Sequence, residues 1–429
     1  MNKESKNIKE YIVGLDIGTT KISIMVGVKN QYGKLEVLGQ GKAISVGVSR
    51  GIVANIDQTV QSIKEAVFEA EQKTGVEIKD VFVGIAGQHI KSLQHRGEIV
   101  RDNIETEIGK SDIDKLKSNM FKLITIPGEE VIHVIPQEYT VDGEDGIHDP
   151  KGMAGVKLEA NFHVITAQVG AVRNIIRCVE KAGLVPKELI LEPFASAVAT
   201  LDEDEQREGV VLVDIGGGTT DVAIFLDNII RHTAVIPFGG NVITKDIKTG
   251  LQILDKQAEL LKVKFGSAMY TDEQENVVVS IPGLRGRDPK EIAVKNLSEI
   301  IGARMKEIID LIYHQIKVSG YEHKLMTGIV LTGGGSQLKN LKQLVAFITG
   351  METRIGYPNE HLGNASKDSV ISPMYSTGVG LVLKGFEYHE NETGPKIHMQ
   401  AEDANEKYEQ NEGIIEKIKE WFTEDDDIN

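Results

Sequence analysis

Cysteine is almost missing from this 429-residue chain. Cys178 stands alone, so no internal disulfide can form, and a reducing compartment is expected. An apolar leader is missing too. The first ten residues, MNKESKNIKE, offer no signal-peptide core, and nowhere do 18 or more apolar residues run together, so neither export nor membrane crossing is expected. Basic residues are in deficit. A net charge of -16 disfavours nucleic-acid binding, which needs cations to neutralise phosphates. Much of the acid is local: from Phe386 onward fourteen Asp and Glu face four Lys, a balance of -10. What the chain does have is 41% apolar residues over a length too great for one ordinary core, and this predicts at least two domains.

The same design occurs twice. Tyr11 to Val28, YIVGLDIGTTKISIMVGV, reads as two strands joined by a Gly-Thr-Thr turn, and Gly209 to Leu226, GVVLVDIGGGTTDVAIFL, repeats it. Two related halves, forming lobes that face a cleft, are expected. Thr59 to Thr74 and Ala171 to Gly183 carry helical apolar spacing and read as crossover helices. Between them, Gly87 to His163 holds short strand-like runs among Gly-Asp and Asp-Pro turns, an inserted α+β subdomain. In the second half Asn241 to Phe265, Ala293 to Val318 and Leu338 to Thr349 read as helices, and GIVLT, Gly328 to Thr332, as a buried strand. After Leu383 the chain turns polar and acidic and reads as a linker.

Glycines in each Asp-Ile-Gly turn allow close main-chain approach to a ligand and point successive N–H groups into one concavity, which suits phosphate oxygens. Gly18 serves the first turn, and Gly216, Gly217 and Gly218 the second. Thr19, Thr20, Thr219 and Thr220 add hydroxyl donors, and Lys21 can reach terminal phosphates. Asp16 and Asp214, at the ends of the two first strands, would hold a hydrated Mg2+ ion. One such turn is a common hairpin. Two turns, with a third cluster of Gly333, Gly334, Gly335 and Ser336 between a strand and a helix, point to a nucleotide.

These motifs resemble the actin superfamily of actin, heat-shock chaperones and sugar kinases. LDIGTTK is similar to its first phosphate loop, VDIGGGTTD to its second, and TGGGS to its adenosine loop. LEPFASAVA, Leu191 to Ala199, resembles the connecting helix whose acidic or amide residue orients the attacking water, a place taken by Glu192. STGVGLVL, Ser376 to Leu383, resembles the second connecting helix. AELLKVKFG, Ala258 to Gly266, resembles the helix that lays Glu259 and Lys262 along the adenosine. For Glu192 a helix-dipole partner, and for Glu259 a solvated surface acid, are the ordinary alternatives. HVIPQEYTVDG, His133 to Gly143, and GIHDPKGMAGVKLEANFHVIT, Gly146 to Thr166, are similar to the insertion called 1C in the FtsA family of bacterial cell-division proteins. GLQILDKQAELLKVKFG and SIPGLRGRDPKEI also resemble that family, so the likeness runs from Tyr11 to Leu383. His133, His163 and Asp149 lack the spacing of a metal site and read as packed or surface residues, with Asp149-Pro150 a turn.

The resemblance implies an α/β, actin-like two-lobed fold with duplicated ATPase halves. Its first-lobe core (1A) would take 10–86 and 164–207, the insert (1C) 87–163, the second-lobe core (2A) 208–235 and 314–385, and an outer subdomain (2B) 236–313. An acidic linker, 386–412, would lead to an amphipathic helix, 413–422, and an acidic end, 423–429. In that helix Ile414, Ile415, Ile418, Trp421 and Phe422 share one face, as expected of a membrane-surface anchor. Glu424 to Asp427 would be repelled by anionic lipid, and docking on a partner groove or on the chain's own body stays open.

The family implies an ATP- and Mg2+-binding scaffold on the cytoplasmic face of the membrane at the septum. It would self-associate into actin-like polymers, bind the C-terminal tail of the tubulin-like FtsZ, and meet other division proteins. Slow hydrolysis through Asp16, Asp214 and Glu192 would reset it. Arg285, Arg287 and Lys295 are candidate FtsZ contacts, with ordinary solvated charge the alternative. A pilus-assembly protein of the FtsA-like group, a chaperone and a small-molecule kinase are the competing readings; a chaperone would need a separate peptide-binding domain after Leu383.

Overall fold

The computed structural model describes residues 11–101, 106–123, 125–272, 275–283, 288–363 and 370–390. All belong to one compact unit spanning 1–392. The expected anchor residues Ile414, Ile415, Ile418, Trp421 and Phe422, the acidic end, and Arg285 and Arg287 lie outside the described residues.

The chain begins with β1 (Tyr11–Ile17), β2 (Lys21–Lys29) and β3 (Leu35–Ile44), followed by the two-residue pair β4 (Val48–Ser49) and β5 (Ile52–Val53), α1 (Ile56–Thr74) and β6 (Asp80–Ile85). The insert follows as β7 (Ile90–Val100), α2 (Lys110–Phe121), β8 (Glu129–Val141), β9 (Glu144–Ile147) and β10 (Lys157–Gln168). The first lobe resumes with α3 (Val169–Lys181) and β11 (Val185–Leu191), then crosses through α4 (Glu192–Thr200) and α5 (Glu203–Glu208). The second lobe opens with β12 (Val210–Ile215), β13 (Thr220–Leu226) and β14 (Ile229–Ile236), then α6 (Gly240–Leu251), α7 (Asp255–Phe265), the hairpin β15 (Val278–Ile281) and β16 (Lys290–Ala293), and α8 (Val294–Ser319). It closes with β17 (Ile329–Thr332), α9 (Leu341–Thr349), β18 (Thr353–Ile355) and α10 (Ser376–Glu390).

Both lobes are built on one plan. The first sheet runs β11-β6-β1-β2-β3 and the second β14-β13-β12-β17-β18. In each, the first three strands form an antiparallel meander and the other two join in parallel. β1, β2, β12 and β13 are buried along nearly their whole length because apolar layers cover both sheet faces, which explains their unbroken hydrophobic runs. α1 and α3 cover one face of the first sheet; the other packs Ile12, Met25 and Phe82 against Leu381, Val382 and Phe386 of α10. The insert is a four-stranded antiparallel sheet, β7-β10-β8-β9, with α2 supplying Ile113, Leu116 and Met120 to its own small core.

Two sequence expectations are corrected. The single helix expected over Asn241 to Phe265 is two, because Gln252 turns left-handed at φ 48° and ends α6 before α7 begins. The linker expected from residue 386 starts later: α10 continues to Glu390, with Phe386 buried and Tyr388 edge-on to Phe82 at 5.5 Å. A tertiary contact, invisible in local periodicity, extends that helix.

Candidate functional site

Buried neighbours Leu15, Ile17, Ile22 and Ile24 hold the first hairpin in the sheet and carry Asp16 inward with it. Its cross-strand partner Ser23 donates to Asp16 Oδ2 at 3.3 Å. In the second hairpin the same register position is acidic: Asp214 pairs with Asp221. Asp221 is 4% exposed; Thr219 Oγ1 donates to its Oδ2 at 3.2 Å, while its buried Oδ1 has no hydrogen-bond partner among the described residues. The two turns abut. A Cβ at Gly217 would fall 2.3 Å from Thr20 Cγ2, and one at Gly218 2.5 Å from Thr19 Oγ1. Gly18 sits tightly in its own turn, where a Cβ would meet the Lys21 carbonyl at 2.8 Å.

The third glycine cluster closes on Asp214. Gly333 has φ 81°, and a Cβ there would fall 2.2 Å from Asp214 Oδ1, so glycine alone fits. Gly335 packs against Ile215, and Gly334–Gln337 forms a 3-10 turn braced by the Ser336 hydroxyl, which donates to the Gly333 carbonyl at 2.8 Å. Ser336 is buried and engaged within its own loop.

On the other side the second turn receives the start of α6. Gly240 N donates to the Gly216 carbonyl at 2.9 Å and Asn241 N to that of Gly217 at 2.8 Å, while Thr220 Oγ1 donates to Phe238 O at 2.8 Å. Lys262 Nζ donates to Gly240 O at 3.0 Å and Thr244 Oγ1 at 2.8 Å, and pairs with Glu259 at 2.7 Å. Thr244 also donates to Glu259, at 2.5 Å. Glu259 and Lys262 therefore belong to one network with the second turn.

Glu192 heads α4 beside Gly84, where a Cβ would fall 3.2 Å from its Cγ. Burial, then repulsion from Asp16, Asp221 and Asp214, pushes its carboxyl well above the usual range, opposed by Lys21. Burial also raises Asp16 and Asp214, and takes Asp221 to about 8 with help from Asp214. Lys21 is lowered by burial; its Nζ donates to Met374 O at 2.7 Å and lies 4.6 Å from the centre of the Tyr375 ring. Four carboxylates with one lysine form a site short of positive charge. Asp16 and Asp214 offer hard carboxylate oxygens, the donor chemistry that suits a hydrated cation such as Mg2+.

The sequence reading missed Asp221, Ser196 and Thr377. Ser196 Oγ donates to Asp214 Oδ2 at 2.7 Å, and Thr377 Oγ1 lies 3.3 Å from the same oxygen. Asp221 was detectable in principle, lying seven residues after Asp214 as Ser23 lies after Asp16. Lys295 Nζ lies 5.0 Å from the centre of the Tyr270 ring. His133 is half-buried with its ring edge-on to Phe194, and His163 is buried and held between Gln94 at 3.2 Å and Thr233 at 3.0 Å, so both are packing residues.

Comparison with known proteins is consistent with this architecture. The family model "Cell division protein FtsA" matches residues 211–380, and that of the "SHS2 domain inserted in FTSA" matches 87–166. The chain is 39% identical to the cell division protein FtsA of Pseudomonas aeruginosa, over 96% of this chain and 97% of that protein. It is 34% identical to FtsA of Escherichia coli K12, over 89% and 92%. In fold alone it is similar to the PilM-PilN type IV pilus biogenesis complex, with a TM-score of 0.63 at 17% identity, covering 87% of this chain and 98% of that one. MreB5 of Spiroplasma citri bound to ADP gives a TM-score of 0.54 at 15% identity, covering 90% and 99%. With its duplicated actin-like sheets, its SHS2 insert and relatives matched over nearly their whole length, the chain belongs to the FtsA family of cell-division proteins.

Proposed function

We propose that the chain is an ATP-binding scaffold that polymerises through actin-like contacts and tethers FtsZ to the inner face of the cytoplasmic membrane at the division septum. One observation carries the nucleotide part: two glycine-threonine turns from the two lobes meet beside Asp16, Asp214, Asp221, Glu192 and Lys21. Gly18, Thr19 and Thr20 from one turn, with Gly216 to Thr220 from the other, would cradle the phosphates. Gly333 to Gly335, with Glu259 and Lys262, would flank the adenosine. Asp16 and Asp214 would hold Mg2+ through its water shell, and Mg2+ when bound supplies charge neutralisation for the triphosphate. Glu192, at the head of α4 and within reach of the charges of Asp16, Asp214 and Lys21, would orient the attacking water in slow turnover.

Membership of the FtsA family favours the scaffold over a pilus-assembly ATPase, whose likeness here is one of fold alone. For the membrane, the apolar face Ile414, Ile415, Ile418, Trp421 and Phe422 supports an anchor that is weak per molecule and strengthened by clustering. Lys295, Arg285 and Arg287 are proposed FtsZ contacts. Two measurements test the reading. Asp214→Ala should lower Mg-ATP affinity at least tenfold by calorimetry. Liposome flotation with FtsZ should recover both proteins, and deleting 413–429 or making Trp421→Glu should release them; no ATP binding by the intact chain, or flotation indifferent to the deletion, refutes the scaffold.

A further inference from the structure

Asp214 is held by hydroxyls from two different helices. Ser196 Oγ, on α4, spends its one proton on Asp214 Oδ2 at 2.7 Å. Thr377 Oγ1, on α10, therefore shares its own proton between Ser196 Oγ at 3.0 Å and the same carboxylate oxygen at 3.3 Å. Ser196 is fully buried and Thr377 nearly so. The remaining oxygen, Oδ1, faces the bare Cα of Gly333.

Both helices bridge the lobes. α4 leaves the first sheet at Glu192, and its Ala197 and the following Leu201 are buried against Val210, Leu212 and Val330 of the second. α10 starts on the second lobe, where Ser376 Oγ and Thr332 Oγ1 lie 2.7 Å apart, and packs Leu381 over Gly14 of the first. They cross in backbone contact: a Cβ at Gly380 would fall 1.8 Å from the Ala195 carbonyl oxygen. The hydroxyl pair sits beside this crossing.

We propose that Ser196 and Thr377 are positioning residues that fix the Asp214 carboxylate for the hydrated cation and thereby tie its occupancy to the crossing of the two inter-lobe helices. The inference rests on the nucleotide reading above. Removing both hydroxyls frees Asp214 to rotate, and the metal-dependent part of nucleotide binding should suffer while the glycine turns remain intact.

The test titrates a fluorescent ATP analogue into the full chain with increasing Mg2+ and, separately, in EDTA. The double variant Ser196→Ala with Thr377→Val should need at least fivefold more Mg2+ for half-maximal binding, with its EDTA affinity within twofold of the parent. Thr377→Ser and Ser196→Thr, which keep a hydroxyl, should restore the parental Mg2+ dependence, and they also show that a well-packed chain is being read if the double variant folds poorly. An unchanged Mg2+ requirement, an equal loss in EDTA, or no rescue overturns the inference. Absence of analogue binding by the parent would overturn the nucleotide reading instead.

Discussion

Asp221 has one oxygen bonded to Thr219 and the other buried without a partner among the described residues, directly across the hairpin from Asp214. A carboxylate raised from 3.8 to about 8 keeps its proton in the folded chain over a range where the unfolded chain has lost it. Stability from this group is therefore present at low pH and falls as pH rises from about 4 to about 8. Asp221→Asn, which is neutral throughout, should be more stable than the parent at pH 8 without nucleotide or Mg2+, by an amount on the order of a few kcal/mol, and the gap should be much smaller at pH 5. Thermal unfolding at the two pH values measures it; an equal effect at both would show that Asp221 is not protonated on folding. Asp16, Asp214 and the glycines were legible in the sequence because a turn is encoded locally. Ser196 and Thr377 were not, since neither a serine nor a threonine inside an apolar helix announces a carboxylate brought from a distant strand.

At the scale of elements, helix crossings separate two glycines that look alike in sequence. Gly380 on α10 touches Ala195 of α4 backbone to backbone, so any side chain must push the helices apart. Gly170 on α3 has nothing among the described residues within 4 Å of its would-be Cβ. Gly380→Ala should destabilise by roughly 1–3 kcal/mol or more through overpacking. Gly170→Ala should be neutral or stabilising by up to about 1 kcal/mol through helix propensity. Urea unfolding of the two variants checks the pair, and a tolerated Gly380→Ala would mean that the crossing yields easily. The paired hairpins and the helices α1, α3, α8 and α9 followed from periodicity, whereas the break at Gln252 and the extension of α10 to Glu390 did not. The first depends on one left-handed residue and the second on Phe82 receiving Phe386 and Tyr388.

Across the whole molecule, two sets of buried groups pull stability in opposite directions with pH. His89, His133 and His163 are each lowered to about 4 by burial, so between pH 6.5 and 4 the unfolded chain takes up protons that the folded chain refuses. Stability from these three is full above 6.5 and is lost as pH falls. The raised acids Asp221, Glu192, Asp16 and Asp214 act the other way as pH rises. The nucleotide-free chain should therefore show a melting maximum on the acid side, below pH 6.5, with a decline on both sides, and Mg-ATP should flatten the alkaline side by compensating the acids. A melting series from pH 4.5 to 9 reads this directly; a flat profile would mean that neither set keeps its burial in solution. The sequence by itself determined the duplication, the paired turns, the insert and the family, because each is written in contiguous residues whose local geometry follows from glycine, threonine and apolar spacing. Only the tertiary structure decided that the two turns abut, that Asp221 joins Asp16 and Asp214 in acting on Glu192, and that hydroxyls from two crossing helices hold Asp214. Those groups meet through packing between lobes, which no local pattern encodes.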